Sequence, residues 1–199
     1  MSDKPKDPRS AYLKEVRLSY PHLHEKHKAN ETAEPKFSAS FLIDPSTTQG
    51  KLNIKKVKAA IAAAETAAFK KTGLRYKDDR CHFMDGNECF TKTGEIRAGY
   101  EDMWVVKASS KEPFKLIHRN KKLVDPAKTP FYGGCIVEAF VGCYGTTKGG
   151  APGLFFSLDA VRFWEDGDRF GRDEISNDAF DDDDDDSGYG DDEDDEDMV

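Results

Sequence analysis

The chain has 199 residues, 38 acidic and 30 basic, and a formal net charge of −8, but its two ends differ in sign: residues 180–199 hold thirteen carboxylates and no Lys or Arg, while residues 1–164 hold 19 acids and 28 bases, a net of +9. This length suits one globular domain followed by a charged tail. The polar start MSDKPKDPRS, with no apolar run near about twenty residues anywhere, argues against a signal peptide and a membrane span, so Cys81, Cys89, Cys135 and Cys143 are expected to be thiols in a reducing, intracellular compartment.

Residues 1–10 read as a flexible N-terminus. In AYLKEVRLSY, period-two alternation predicts a strand with Val16, Leu18 and Tyr20 on one face and Glu15, Arg17 and Ser19 on the other. The polar stretch PHLHEKHKANETAE reads as a surface loop. A second strand follows in PKFSASFLID, with Phe37, Ala39, Phe41 and Ile43 inward, and it should pair with the first. Leu52, Ile54, Val57, Ile61 and Phe69 lie near 3.6-residue spacing and predict the one strong helix, capped by Ser46, Thr47 or Thr48 and stopped by Gly73. Lys51, Lys55 and Lys58 fall on another face of that helix, which reads as solvated surface.

Four more apolar runs read as strands: EDMWVVKASS, PFKLIHR, GGCIVEAFVGCYG and GLFFSLDAVRFW, separated by clusters of Gly, Pro, Asn and Lys. Cys135 and Cys143 read as small core residues. Six strands and one helix without βαβ alternation argue for a mainly β fold, an antiparallel, partly closed barrel of the OB type with one principal α-helix. The final block of like charges predicts a disordered acidic C-terminal tail. The expected division is 1–10 flexible, 11–171 barrel, 172–199 tail.

No GxxxxGK[ST] loop, GxSxG elbow, HExxH or HxE with CxxC is present, so P-loop enzymes, hydrolases and zinc deaminases lack their usual signatures. His22, His24 and His27, and separately Cys81, His82 and Cys89, are the candidate metal clusters, neither with a full structural-zinc ligand set; no metal or other cofactor is expected. The stronger signal is the interleaving of aromatic and basic residues. Tyr100, Trp104, Phe114, Tyr132, Phe140, Tyr144 and Phe155 occur among Arg80, Lys92, Arg97, Lys107, Lys111, Lys115, Arg119, Lys121 and Lys122. Single-stranded nucleic acid needs both types, rings to stack on bases and cations to follow phosphates. Alternation in CIVEAFVGCY makes Val137, Ala139, Val141 and Cys143 the apolar row and puts Phe140 and Tyr144 on the face of Glu138; Phe155 lies with Ser157 and Asp159. Trp104 shares the pattern of Val106 and Ala108. The densest run, KASSKEPFKLIHRNKK, reads as an exposed hairpin or a phosphate-contacting ribbon, and its single-sign charge favours the second.

RLSYPHL, PKFSASFLID, FMDGNE, DMWVVKASSKEP, FYGGCIVEAF and GLFFSLDAVRFWEDGDRFG, in this order across residues 16–171, carry a resemblance to the single-stranded-DNA-binding proteins of tailed bacteriophages, an OB-fold family with an acidic C-terminal segment. The resemblance implies sequence-independent coating of single-stranded DNA in phage replication, recombination and repair, in the cytoplasm of the infected bacterial host. It also implies contacts between the tail and replication proteins such as a polymerase or helicase. Related tails often finish in an aromatic residue; this chain finishes Met198-Val199, with Phe180 and Tyr189 further in. Tethered to a basic groove, such a polyanion also acts as an internal competitor for the DNA site. A homo-oligomer is compatible with the sequence. The rival readings are an acidic-tailed chaperone or protein-interaction module and, further off, an enzyme of nucleotide metabolism with scattered acids such as Asp78, Asp79, Glu101 and Asp102 brought together by folding.

Overall fold

A computed structural model of the chain describes residues 7–28, 30–148 and 150–170. The elements follow in the order β1 (Ser10–His27), β2 (Lys36–Ile43), α1 (Thr48–Phe69), β3 (Phe83–Asp85), β4 (Trp104–Ser110), β5 (Lys115–Ile117), β6 (Ile136–Thr146) and β7 (Gly153–Glu165). The sheet order is β3-β4-β2-β1-β6-β7-β5, and a parallel pairing of β4 with β7 closes β1, β2, β4, β7 and β6 into a barrel. This is the OB-type architecture expected from the strand pattern. β3 was not foreseen, because three residues are too few to display an alternation.

The barrel interior is built from the inward rows of its strands. Ala39, Phe41 and Ile43 of β2, Val106 and Ala108 of β4, and Val137, Ala139, Val141 and Cys143 of β6 are all buried. β7 contributes Leu154, Phe156 and Leu158 and then changes parity to Val161, at the irregularity where its register with β6 shifts between Phe140 and Val141. Burial pushes the thiols of Cys135 and Cys143 up to about 11 and about 12, so both are inert apolar side chains at neutral pH.

β1 departs most from expectation. It does not stop at Tyr20 but continues to His27 through the stretch read as a loop, pairing His22 with Ser38 and His27 with Lys36. This distal ribbon is largely solvent-exposed, with Leu23 as its buried apolar anchor, so a polar composition conceals a strand. Two bulges also break the alternation. Glu15 and Tyr20 have φ values of 52° and 46°, at the register shifts between Leu13 and Val16 and between Ser19 and His22. Tyr20 is thereby turned outward and is 50% exposed, while Ser19, expected outside, is buried.

Helix α1 begins where the sequence indicated: Thr47 Oγ1 accepts from the Gly50 amide at 2.9 Å. It docks through Val57, Ala60, Ile61, Ala64 and Phe69, whereas Leu52, expected inside, is 49% exposed. The place of an apolar contact there is taken by Asn53, which is wholly buried and clamps the first bulge of β1. Its Nδ2 donates to the Lys14 carbonyl at 2.7 Å and its Oδ1 accepts the Lys14 amide at 3.2 Å. Gly50 permits this approach, since a Cβ there would lie 1.7 Å from the Asp44 carbonyl oxygen.

Beyond β7 the chain folds back as a short strap. The Tyr132 hydroxyl lies 2.9 Å from Asp166 Oδ1 and 3.0 Å from the Gly167 carbonyl oxygen, and the Phe170 amide donates to the Gly133 carbonyl at 3.0 Å. Arg17 donates to the Asp168 carbonyl and lies 4.3 Å from the centre of the Phe170 ring. That ring packs against a second apolar cluster, Leu42, Cys89, Tyr100 and Val105.

Candidate nucleic-acid interface

Register decides which side chains share the outer face of β1, β2 and β4. Ser19 pairs with Ser40 and Ser40 with Lys107; His22 pairs with Ser38 and Ser38 with Ser109. These polar rows floor a groove of about 620 Å³, walled by Tyr20, His27, Lys36, His82 and Arg97, with Ala33 and Glu34 of the β1–β2 loop at its rim. In an OB barrel this face, with its adjoining loops, is where oligonucleotides lie.

Rings and cations alternate around the groove. The Arg97 guanidinium lies 5.0 Å from the centre of the Tyr20 ring. The His22 and His27 rings stack at 4.1 Å, 11° from parallel. His82 meets Phe155 edge-on at 4.6 Å, and Phe155 in turn lies 6.0 Å from Arg80 and 6.1 Å from the ring of Tyr144, which is 40% exposed. At the far edge Lys26 approaches Phe37, which contacts Phe114 edge-on at 5.7 Å.

The field in the groove is positive. Burial, with Lys107 and Lys36 nearby, pushes His82 down to about 4, and burial and His27 lower His22. Glu34 is held below the usual carboxylate range by Lys111, with which it forms an exposed ion pair, and by Lys36 and Lys148. Such a pair contributes little to stability.

The sequence candidates thus divide. Lys107 and Arg97 line the groove, and Arg80, Phe155, Tyr144 and Lys111 adjoin it. Phe114 stands at its edge. Tyr100 leaves the set: it is fully buried and its hydroxyl donates to Ser19 Oγ. Trp104 lies on the other side of its strand, stacked on Phe83 with Lys58 of α1 near its ring. Tyr132 holds the strap. Lys92 lies on the exposed turn between Phe90 and Ile96.

The run from Lys107 to Lys122 is no single ribbon. Its β5 pairs in parallel with β7, and Lys121 and Lys122 sit on the turn beyond it. Phe140, Lys115 and Arg119 are carried to a different face, formed by β1, β6, β7 and β5. Tyr20, His22, His27, Lys36, Phe37 and His82 were missed. Pro21 after Tyr20 was the available signal: it has no amide to give a neighbouring strand, so within a strand it marks a bulge or an edge.

The candidate metal clusters do not assemble. His24 Nε2 bonds Thr129 Oγ1 at 2.7 Å, away from the stacked His22 and His27, while Cys81 packs in the core and Cys89 in the second cluster. Among the described residues no group of three or more His, Cys, Asp or Glu side chains is placed to hold a metal, and no helix is long and apolar enough to cross a membrane.

A five-stranded barrel with a positive, ring-lined groove over β1, β2 and β4 defines an OB-fold protein of the oligonucleotide-binding class. The sequence profile of the Enterobacter phage Enc34 ssDNA-binding protein matches residues 9–194, and the chain belongs to that family of ssDNA-binding proteins. Protein p50 of Acyrthosiphon pisum secondary endosymbiont phage 1 is 30% identical over 174 residues, covering 85% of this chain and 91% of p50. The bacteriophage Enc34 protein solved in complex with ssDNA superposes with a TM-score of 0.72 at 20% identity, covering 85% of this chain and 97% of its own. The ssDNA-binding protein gp2.5 of bacteriophage T7 gives 0.50 at 12% identity, covering 91% and 96%. At these identities the two structural likenesses carry the fold.

Proposed function

We propose that the chain coats single-stranded DNA without sequence preference, holding it in the groove over β1, β2 and β4, in phage replication, recombination and repair within the cytoplasm of the infected host. The observation that carries the reading is the convergence of Tyr20, Arg97, Lys36, Lys107 and His82 on one groove. Phosphates follow the Lys and Arg side chains while bases stack on Tyr20, Tyr144 and Phe155; the serine rows offer hydrogen bonds but no base-reading pattern. Residues 11–171 are the DNA-binding unit, and residues 172–199, which lie outside the described residues, are the acidic tail. Its carboxylates compete with DNA for the groove and, once displaced, are offered to replication proteins.

Titration of the full chain with oligothymidylate tests this. Affinity should fall with salt along a log–log slope of about −0.7 per phosphate neutralised, and Arg97→Ala with Lys107→Ala should lower both affinity and slope. An affinity insensitive to salt, or unchanged in that double variant, would refute the groove as the DNA site.

A further inference from the structure

The face carrying Phe140 has a composition that a merely solvated sheet surface does not require. Tyr12, Phe140, Ala160 and Lys115 are directly paired across β1, β6, β7 and β5. The Phe140 ring lies flat on Tyr12, with centroids 4.3 Å apart and planes 6° from parallel, yet it is still 38% exposed. Four residues beyond Ala160 on β7, Trp164 has the Arg119 guanidinium at 4.5 Å and that of Arg162 at 5.5 Å. The acid on this face, Glu138, is buried and neutralised: Arg162 pairs with it and the Tyr12 hydroxyl donates to it at 2.8 Å. Asp159, which accepts from Ser157, and Asp7, which pairs with Arg9, are further carboxylates at its edge.

A depression of about 870 Å³ lies on this face, and its lining reaches Ser110, next in the chain to Ser109 of the DNA groove. It is lined by Phe114, Lys115, Phe140 and Asp159, and Phe114 is the residue that contacts Phe37 at the groove's edge. Rings and cations therefore continue around the barrel edge from Phe37 through Phe114 and Lys115 to Phe140 and the Arg119–Trp164–Arg162 cluster. Adjacent strands are about 4.8 Å apart, so from Lys115 to Tyr12 the track spans about 14 Å, room for two or three nucleotides.

We infer that this face is a second segment of the DNA path: a strand leaving the groove past Phe114 stacks a base on Phe140 and lays its phosphates against Lys115 and Arg119. The inference rests on the groove reading and extends it, by assigning the continuation of the same strand to a face that a short oligonucleotide does not reach.

The test uses the full chain and oligothymidylates of about 6 and about 16 nucleotides, lengths within the range that single OB folds occupy. Trp104→Phe leaves Trp164 as the reporter, since the other tryptophan stacks on Phe83 with Lys58 of α1 near its ring, off both faces. The longer oligonucleotide should quench Trp164 fluorescence and the shorter should not. Arg119→Ala, an exposed substitution that leaves the core intact, and Phe140→Ala should together weaken the long ligand about tenfold while changing the short one by less than about twofold.

Equal losses for both lengths, no loss for either, or a Trp164 signal unmoved by the long ligand would overturn the second segment. The last result, with Trp164 responding instead to a purified acidic peptide of residues 172–199, would give the face to the tail. Arg97→Ala with Lys107→Ala, read on the short ligand alone, tests the groove separately, so failure of one reading is distinguishable from failure of the other.

Discussion

Tyr20 and Tyr100 are the same residue type, with rings 6.4 Å apart, and their environments assign them opposite roles. Tyr20→Ala should weaken binding to single-stranded DNA by about 1 to 3 kcal/mol with little change in melting temperature. Tyr100→Ala should instead cost about 3 to 5 kcal/mol of folding stability, read by urea denaturation. Equal melting temperatures for the two variants would contradict the burial that separates them. The groove histidines should give binding a pH dependence. His82 is depressed to about 4 and His22 is lowered, so both are neutral in the free protein near neutral pH. Phosphates beside them favour the protonated form, making DNA binding take up protons and tighten as pH falls. Glu34, held low by Lys111, stays ionised over that range. The dissociation constant should therefore fall modestly between about pH 7.5 and 5.5, chiefly through His22; one unit of pKa shift sets a tenfold ceiling per histidine, which His82, starting from about 4, approaches only at lower pH. His22→Gln with His82→Gln should remove this gain. Without DNA the sign reverses: buried neutral His82 costs nothing above about pH 6.5 and destabilises the fold as pH drops towards 4.

Among elements, β1 and α1 show how much of the fold could be read beforehand. Alternation correctly assigned β2, β4, β6 and the first half of β7, because each has a uniformly apolar inward row, even though Leu42 of β2 and Val105 of β4 are buried on the opposite face in the second cluster. In β1 it placed Val16 and Leu18 inward correctly and failed at the second bulge, where Tyr20 turns outward; the first bulge, at Lys14 and Glu15, is stabilised by Asn53, thirty-nine positions after Lys14, and no periodicity within β1 reports a partner on the helix. The same coupling explains why a polar residue displaced Leu52 from the buried face. Asn53→Ala should leave the Lys14 amide and carbonyl without their side-chain partner, a loss on the order of 2–4 kcal/mol. The denaturation midpoint should drop while its slope stays constant, since the exposed area on unfolding is unchanged. For the site, residue types were legible and positions were not. Lys107 and Arg97 were named, but they share their groove with Tyr20, His22, Lys36 and His82, residues brought there by the outward turn at Tyr20 and by the ribbon hidden in PHLHEKH.

At the scale of the molecule, opposite charge at the two ends is the governing property. The strap fixes where the acidic segment begins, because Phe170 is held between Arg17 and the Gly133 carbonyl, beside Tyr20 at one end of the groove. Ending the chain after Phe170 should tighten binding to single-stranded DNA and to duplex at low salt, with the difference shrinking as the Debye length falls to about 8 Å near physiological ionic strength. A truncated chain that binds no better than the whole would confine the carboxylates to contacts with other proteins. Phe170→Ala in the full chain should leave the groove's own contacts intact but shift this competition, because the acidic segment would then start from the end of β7.

The barrel is closed unevenly. β6 and β7 pair along eleven residue positions, from Ile136 with Glu165 to Thr146 with Gly153, whereas β4 and β7 meet at Ala108 with Phe156 and Ser109 with Ser157. A short parallel seam is the weakest stretch of such a cylinder, and it runs along the flank of the groove, between Lys107 and Phe155. Local opening should begin there, so the amides of Ala108, Ser109, Phe156 and Ser157 should exchange with deuterium ahead of those in the centre of β6. A nucleic acid lying from Lys107 to Phe155 spans both lips of that seam. It would slow their exchange and raise the protein's unfolding temperature, making the barrel most rigid when it is in use.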